Sequence, residues 1–286
     1  MTLNKINFAF WGTSEFSVYI LNSLKERGFL PSLIVSTPDK PQGRKLEIKP
    51  THTKVWALEN NIPVFQPEKL NDEAFKKLSE EEWDVFIVAS YGKIIPERFL
   101  NIPKSKTLNV HPSLLPELRG PSPIESCILR DIKHTGISIM RLDKEMDHGP
   151  LVAQKEYSVN EWPKREDLEK TFGDIGGELL ANVLPDWVSG KIETKEQNHS
   201  KATYCKKIEK QEALLDLSAD PYENFRKIQA YSGWPCAFFF VKNNERNIRV
   251  AVKDAEFKNG ELVITRVIPE GKKEMNYQDF LRGLRQ

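Results

Sequence analysis

Asn109-Val110-His111-Pro112-Ser113-Leu114-Leu115-Pro116-Glu117-Leu118-Arg119-Gly120-Pro121-Ser122-Pro123-Ile124 is the stretch on which the reading of this chain turns. It begins in a short apolar segment, residues 107–110, that has the character of a strand. It then runs through prolines into a segment, residues 123–130, with helical character. Upstream, Val85-Phe86-Ile87-Val88-Ala89 reads as a buried strand. Downstream, residues 137–142 and 151–157 read as two further strands that pair. Between them lies Met146-Asp147-His148-Gly149-Pro150. Asn109 and His111 are two apart, so on a strand their side chains project to one side. An amide, an imidazole and a later carboxylate thus fall at strand ends along one edge of a parallel sheet, where such folds bind ligands. Taken singly, each has a plain structural reading, as turn residue or backbone partner. Together they suit stabilisation of a tetrahedral intermediate in acyl transfer.

The rest of the chain supplies the sheet. Residues 6–10 form an apolar run. Phe16, Ile20, Leu21 and Leu24 follow at helical spacing, ending at Gly28, and residues 33–36 read as a second strand. Strand, helix and strand over about 30 residues make a βαβ unit. Residues 37–50 carry three prolines and a glycine and read as a loop, long enough to suggest a function. Helices are expected over 54–60 and 73–81, with a short strand at Val64-Phe65 between them. Leu168, Phe172, Ile175, Leu179, Leu180 and Val183 predict a helix over 165–188. Beyond Gly190 the composition becomes polar and linker-like. A helix over 221–230 then precedes short alternating segments at 237–241, 248–252 and 262–267, with turn signals at Asn243-Asn244 and Asn259-Gly260. The expected fold is α/β: a Rossmann-like parallel-sheet domain over 1–189, a linker over 190–206, and a small OB-like β-barrel over 207–286.

Composition narrows the class. The chain has 286 residues, 39% hydrophobic and 29% charged, as in a soluble globular protein. No apolar run approaches the roughly 20 residues needed to span a bilayer, and the start shows no signal-peptide pattern. Three scattered cysteines, Cys127, Cys205 and Cys236, fit a reducing compartment and make a cysteine zinc site unsupported. A cytoplasmic monomer without membrane attachment is expected. The net charge of +1 points to no polyanionic partner by itself. One window is sharper: Lys40, Arg44, Lys45, Lys49 and Lys54 stand against a single acid, Glu47, a cluster whose default reading is a solvated loop and whose alternative is a nucleic-acid contact. Gly12-Thr13-Ser14-Glu15-Phe16-Ser17 lacks the later glycines of a dinucleotide fingerprint and reads as a tight turn. In the tail, Trp234-Pro235 and Phe238-Phe239-Phe240 read as core rather than as a stacking platform.

Ser113-Leu114-Leu115-Pro116, then Arg119-Gly120 and Pro123-Ile124, resembles the signature loop of the folate-dependent formyltransferases. In that family an Asn and a His two apart, with an Asp in a later D-x-G element, form the active site. They match Asn109, His111 and Asp147, with Gly149 as the glycine. The likeness runs almost end to end. It includes Gly12-Thr13, Pro38-Asp39-Lys40-Pro41-Gln42-Gly43-Arg44, Val64-Phe65-Gln66-Pro67, Trp234-Pro235 and the segment from Pro269 to Gly283. The basic loop and the tail point to the tRNA-acting branch. Glu117-Leu118, Ser122 and His148 depart from the commoner residues.

The resemblance implies formyl transfer from 10-formyltetrahydrofolate to the α-amino group of initiator methionyl-tRNA, without a metal. Asn109, His111 and Asp147 would be catalytic. Val88, Ala89, Tyr91 and Gly92 with Ser113, Leu114, Leu115 and Pro116 would hold the folate. Lys40, Arg44, Lys45 and Lys49 would meet tRNA. Rival readings are an amino-sugar formyltransferase, a glycinamide ribonucleotide formyltransferase, a formyl-folate hydrolase and a catalytically idle RNA-binding protein.

Overall fold

The structure, a computed structural model, describes residues 6–42, 47–243 and 246–284. The chain folds as two compact units, each assembled from separate stretches of sequence. The first comprises residues 1–121, 136–157 and 170–204; the second comprises 122–135, 158–169 and 205–286.

The first unit opens with β1 (Phe8–Gly12), α1 (Glu15–Glu26) and β2 (Leu33–Val35). A small hairpin, β3 (Lys40–Gln42) with β4 (Glu47–Lys49), leads to α2 (His52–Glu59) and β5 (Val64–Phe65). Next come α3 (Asp72–Ser79), β6 (Val85–Ala89), the short α4 (Glu97–Leu100) and β7 (Thr107–His111). After α5 (Pro123–Leu129), which belongs to the second unit, β8 (His134–Arg141) and β9 (Leu151–Ser158) complete the sheet. Among the described residues seven strands lie in the order β5-β2-β1-β6-β7-β8-β9. The pairs from β5 to β7 are parallel, and β7 meets β8 antiparallel. Every residue of β1, β6 and β7 is buried, as expected of a parallel sheet covered on both faces. Trp11, Trp83, Phe86 and Phe99 pack together at its centre. The long α6 (Arg165–Val188) lies close to β7, for a Cβ on Gly176 would meet Val110 Cγ1 at 2.8 Å.

The second unit holds α5, the first residues of α6, α7 (Pro221–Ala230) and a four-stranded antiparallel sheet. Its strands are β10 (Phe238–Asn243), β11 (Arg246–Lys258), β12 (Glu261–Pro269) and β13 (Met275–Asn276), followed by α8 (Tyr277–Leu284). Asp220 caps α7, accepting from the Glu223 N–H at 2.7 Å. Polar bonds tie the early segments in: Asp131 accepts from Trp162 Nε1 and the Tyr222 hydroxyl, and Arg226 donates to the Leu129 carbonyl.

Several expectations need correction. The first strand covers 8–12 rather than 6–10. Residues 37–50 are not one irregular loop but contain a hairpin. The polar stretch after Gly190 is not a free linker up to residue 204: it belongs to the first unit, and Gln197 is buried there. Gln197 is the one buried residue of this stretch, and its amide is hydrogen-bonded to Arg119 and to the backbone carbonyls of Asp147 and Gly149, which composition does not register. In the tail Pro235, Phe238 and Phe239 are buried, but Trp234 is 61% and Phe240 53% exposed.

Candidate active site

The expected residues come together at the carboxyl ends of β6 and β7, within the first unit. Asn109 sits in β7 between Val88 of β6 and Met140 of β8. It is 8% exposed, yet no hydrogen bond claims its side-chain amide among the described residues. Its amide is not among the fully buried polar atoms left without a partner, so it stays open to the site and available to a ligand.

His111 ends the same strand on the same side, buried. Its Nε2 lies 2.9 Å from the Leu118 carbonyl. A carbonyl only accepts, so Nε2 carries a proton and donates. The other nitrogen, Nδ1, lies 3.7 Å from Oδ2 of Asp147. That gap exceeds a hydrogen bond and suits a weak ion pair once the ring is protonated. Asp147 is largely buried and has a φ of 50°, left-handed backbone that few non-glycine residues adopt. The same Oδ2 accepts from the Gly120 N–H at 2.7 Å. Gly149 is required by close approach, since a Cβ there would collide with the Arg141 carbonyl.

The two loops assigned to the folate border this group. Val88 and Ala89 are buried at the end of β6, and the chain then turns through Ser90 (φ 49°) and Gly92 (φ 78°), both exposed. The Tyr91 side chain turns inward against Trp11, and burial pushes its hydroxyl up to about 12. Tyr91 therefore offers the site its backbone, whose carbonyl accepts from Thr13 Oγ1 at 3.1 Å. Ser113 and Leu115 are buried; Leu114 and Pro116 are half-buried. This loop is held by Ser138, whose hydroxyl donates to the Ser113 carbonyl at 2.7 Å and accepts from the Leu115 N–H at 2.9 Å. Gln154 adds bonds to Ser138 Oγ and to the Leu115 carbonyl. Neither Ser138 nor Gln154 stands out in the sequence, where both are ordinary polar positions of β8 and β9.

The basic residues are set on the hairpin. Lys40 and Lys49 are exposed and pair in register across it. Arg44 and Lys45 lie outside the described residues. Lys54 is not free: its Nζ lies 2.5 Å from Oδ2 of Asp39, while Gln66 Nε2 donates to Oδ1 at 2.7 Å. The Lys54 ammonium, then the Gln66 amide, hold the Asp39 carboxyl below the usual carboxylate range. Among the described residues no group of three metal-ligating side chains is assembled.

Residues 4–184 match the family described as formyl transferase. The chain is 42% identical over 241 residues to the methionyl-tRNA formyltransferase of Sulfurihydrogenibium sp., a match covering 84% of this chain and 78% of that one. It is 34% identical over 296 residues to that of Bacillus subtilis, covering 96% and 93%. The solved methionyl-tRNA formyltransferase from Clostridium thermocellum shares the fold with a TM-score of 0.62 at 15% identity, over 95% of this chain and 99% of that one.

Proposed function

The chain belongs to the formyl transferase family, and from that premise we propose that it formylates the α-amino group of methionyl-tRNA for translation initiation, with Asn109, His111 and Asp147 as catalytic residues. The observation that carries the residue assignment is the pairing of an unclaimed Asn109 amide with a His111 ring whose Nδ1 faces Asp147.

The co-substrate 10-formyltetrahydrofolate supplies the formyl group and departs through its N10. The turn after β6 and the 113–116 loop would hold it, largely through backbone groups suited to a donor–acceptor ring edge. The acceptor amine must be neutral to attack. As its nitrogen bonds to the formyl carbon, negative charge builds on the formyl oxygen. The Asn109 amide is free to donate to that oxygen. His111 keeps its Nε2 proton on Leu118 and takes the amine proton on Nδ1. Asp147 stabilises the imidazolium so formed, 3.7 Å away, and Nδ1 returns the proton to the departing nitrogen. His111 in its charged state also lowers the cost of the oxyanion.

Residues 207–286, within the second unit, are read as an OB-like tRNA-binding domain. Its meander supports this: β11 is 13 residues long and carries a register shift between Val252 and Ala255, the kind of bulge that bends a strand towards closure. The hairpin cations Lys40 and Lys49, with Arg44 and Lys45, are read as further tRNA contacts. A monomeric state and a cytoplasmic site complete the proposal.

Incubation with 10-formyltetrahydrofolate and either charged initiator tRNA or free amino sugars tests the reading. Formyl-methionine should appear on the tRNA alone. Formylated sugar with unmodified tRNA would replace it with the amino-sugar reading, and formate release without an acceptor would replace it with the hydrolase.

A further inference from the structure

Asp147 holds an unfavourable backbone conformation at the centre of the site, and its own side chain does not explain how. The groups that fix it lie behind it, in the stretch after Gly190. Gln197 is buried, and its side-chain Nε2 donates to two backbone carbonyls, Asp147 at 3.0 Å and Gly149 at 2.7 Å. These carbonyls flank His148, so one amide clamps both ends of the turn that presents Asp147. The other end of the same amide is also bound. Gln197 Oε1 accepts from Arg119 Nη2 at 2.6 Å and Nε at 3.2 Å. Arg119 is 2% exposed. A third bond from Arg119 Nη2 goes to His199 Nδ1 at 2.9 Å. A guanidinium only donates, so Nδ1 of His199 accepts. The His199 ring then lies flat on His148, with centroids 4.1 Å apart and planes 4° from parallel. His148 in turn donates through Nδ1 to Asp143 Oδ2 at 2.8 Å.

We propose that Gln197 and Arg119 are positioning residues for the Asp147 carboxylate, with the His199–His148 stack bracing the same turn. The inference rests on the reading of Asp147 as catalytic. Gln197 enforces the left-handed turn by satisfying its carbonyls, and Arg119 orients Gln197 so that its N–H₂ rather than its oxygen faces them. Without the clamp, Asp147 relaxes towards ordinary backbone angles. Its Oδ2 then leaves both the Gly120 N–H and the approach to His111. A displacement of about 1 Å suffices to cost up to 10²-fold in rate.

The test uses the full chain. Gln197→Met keeps the length of the side chain and removes all its hydrogen bonds. Gln197→Glu keeps the acceptor for Arg119 but turns oxygen, not N–H, towards the two carbonyls. Both should lower kcat at least tenfold while KM for folate and for tRNA stays within about twofold, since the clamp touches neither substrate. Both should also speed hydrogen exchange at the Gly120 amide at least tenfold, a readout independent of turnover. Arg119→Lys retains a cation and the Gln197 amide, and should raise Gly120 exchange at least threefold; it carries the test should the Gln197 variants fail to fold. Wild-type protection of Gly120 in the variants, or a kcat unchanged by Gln197→Met, overturns the proposal. If the wild-type chain formylates nothing, the functional reading has failed, while Gly120 exchange still decides whether the clamp sets Asp147.

Discussion

His111 donates through Nε2 to the Leu118 carbonyl, so any proton it exchanges with a substrate passes through Nδ1. That assigns distinct consequences to the three residues. In the proposed reaction, replacing His111 with Ala removes the acceptor of the amine proton, and replacing Asp147 with Ala removes its counter-charge. Each should lower kcat by about 10² or more with little change in folding. Activity within threefold of wild type in either variant would remove that residue from the chemistry. Asn109→Ala removes the proposed oxyanion donor, a loss worth roughly 3–4 kcal/mol of barrier. Asn109→Asp should be at least as damaging, because it aims a carboxylate at the developing negative charge. Equal turnover by Asn109→Asp and wild type would place the oxyanion elsewhere. Gly149→Ala tests the same geometry through sterics. Its Cβ would strike the Arg141 carbonyl, so the turn must shift, with a loss of about 1–3 kcal/mol in stability and a fall in kcat. Thermal unfolding and single-turnover rates measure the two together. That Asn109, His111 and Asp147 lie near one another is legible in the sequence, because they fall in segments expected at one edge of the sheet. Gln197 is not. It lies 50 positions from Asp147, and it binds backbone carbonyls, which have no residue identity to pair with.

At the scale of elements, long or strongly patterned segments are legible in the sequence. The expected bounds of β6, α6 and α7 coincide with those observed, since each combines a clear apolar pattern with a sharp boundary. The helix α4, four residues long, and α8, with Phe280 its only wholly buried residue among those described, carry too little apolar signal to register. The hairpin β3–β4 is hidden by its composition. Pro41 lies in β3, and all the described side chains of β4 are exposed, so no burial alternation marks it. What fixes the hairpin is at its root, where Asp39 meets Lys54 and Gln66. Asp39→Asn should therefore weaken formylation of tRNA by roughly two- to fivefold, the scale of a partly exposed ion pair, and leave folate binding intact. The same contact has a pH sign. The Asp39 carboxyl titrates below its ordinary 3.8, chiefly through Lys54, so the unfolded chain binds this proton more readily. The contribution is complete above that ordinary value and is lost as pH falls through the lowered one. Hydrogen exchange across residues 40–49 should accelerate in acid for wild type but show no such step in Asp39→Asn. Identical profiles would show that the ion pair does not hold the hairpin.

Across the whole molecule, charge is distributed unevenly although its sum is only +1. From Lys206 onward the chain carries +3, and the rest carries −2. The first unit, which holds the candidate site, carries 23 Lys/Arg against 23 Asp/Glu, so it meets a polyanion without a broad positive field. Its cations are local, on the hairpin at Lys40 and Lys49 and in the neighbouring Arg44 and Lys45. A local cluster predicts a specific form of salt dependence. Each phosphate neutralised releases counterions and adds about 0.7–0.9 to the slope of log affinity against log salt. The double variant Arg44→Ala/Lys45→Ala should thus flatten that slope by about 1 to 2 for the intact protein binding initiator tRNA. Its kcat/KM for tRNA should fall most at low salt, where the lost attraction was strongest, and approach wild type as salt rises. Folate binding, proposed for the turn after β6 and the 113–116 loop, should not change. Lys40→Ala/Lys49→Ala should act in the same direction, because these two side chains are exposed and directly paired across the hairpin. If neither double variant alters the slope or kcat/KM, the hairpin takes no part in tRNA binding. The salt dependence would then have to arise from the stretch from Lys206 onward, which carries +3, and the amino-sugar reading of the first unit would regain force.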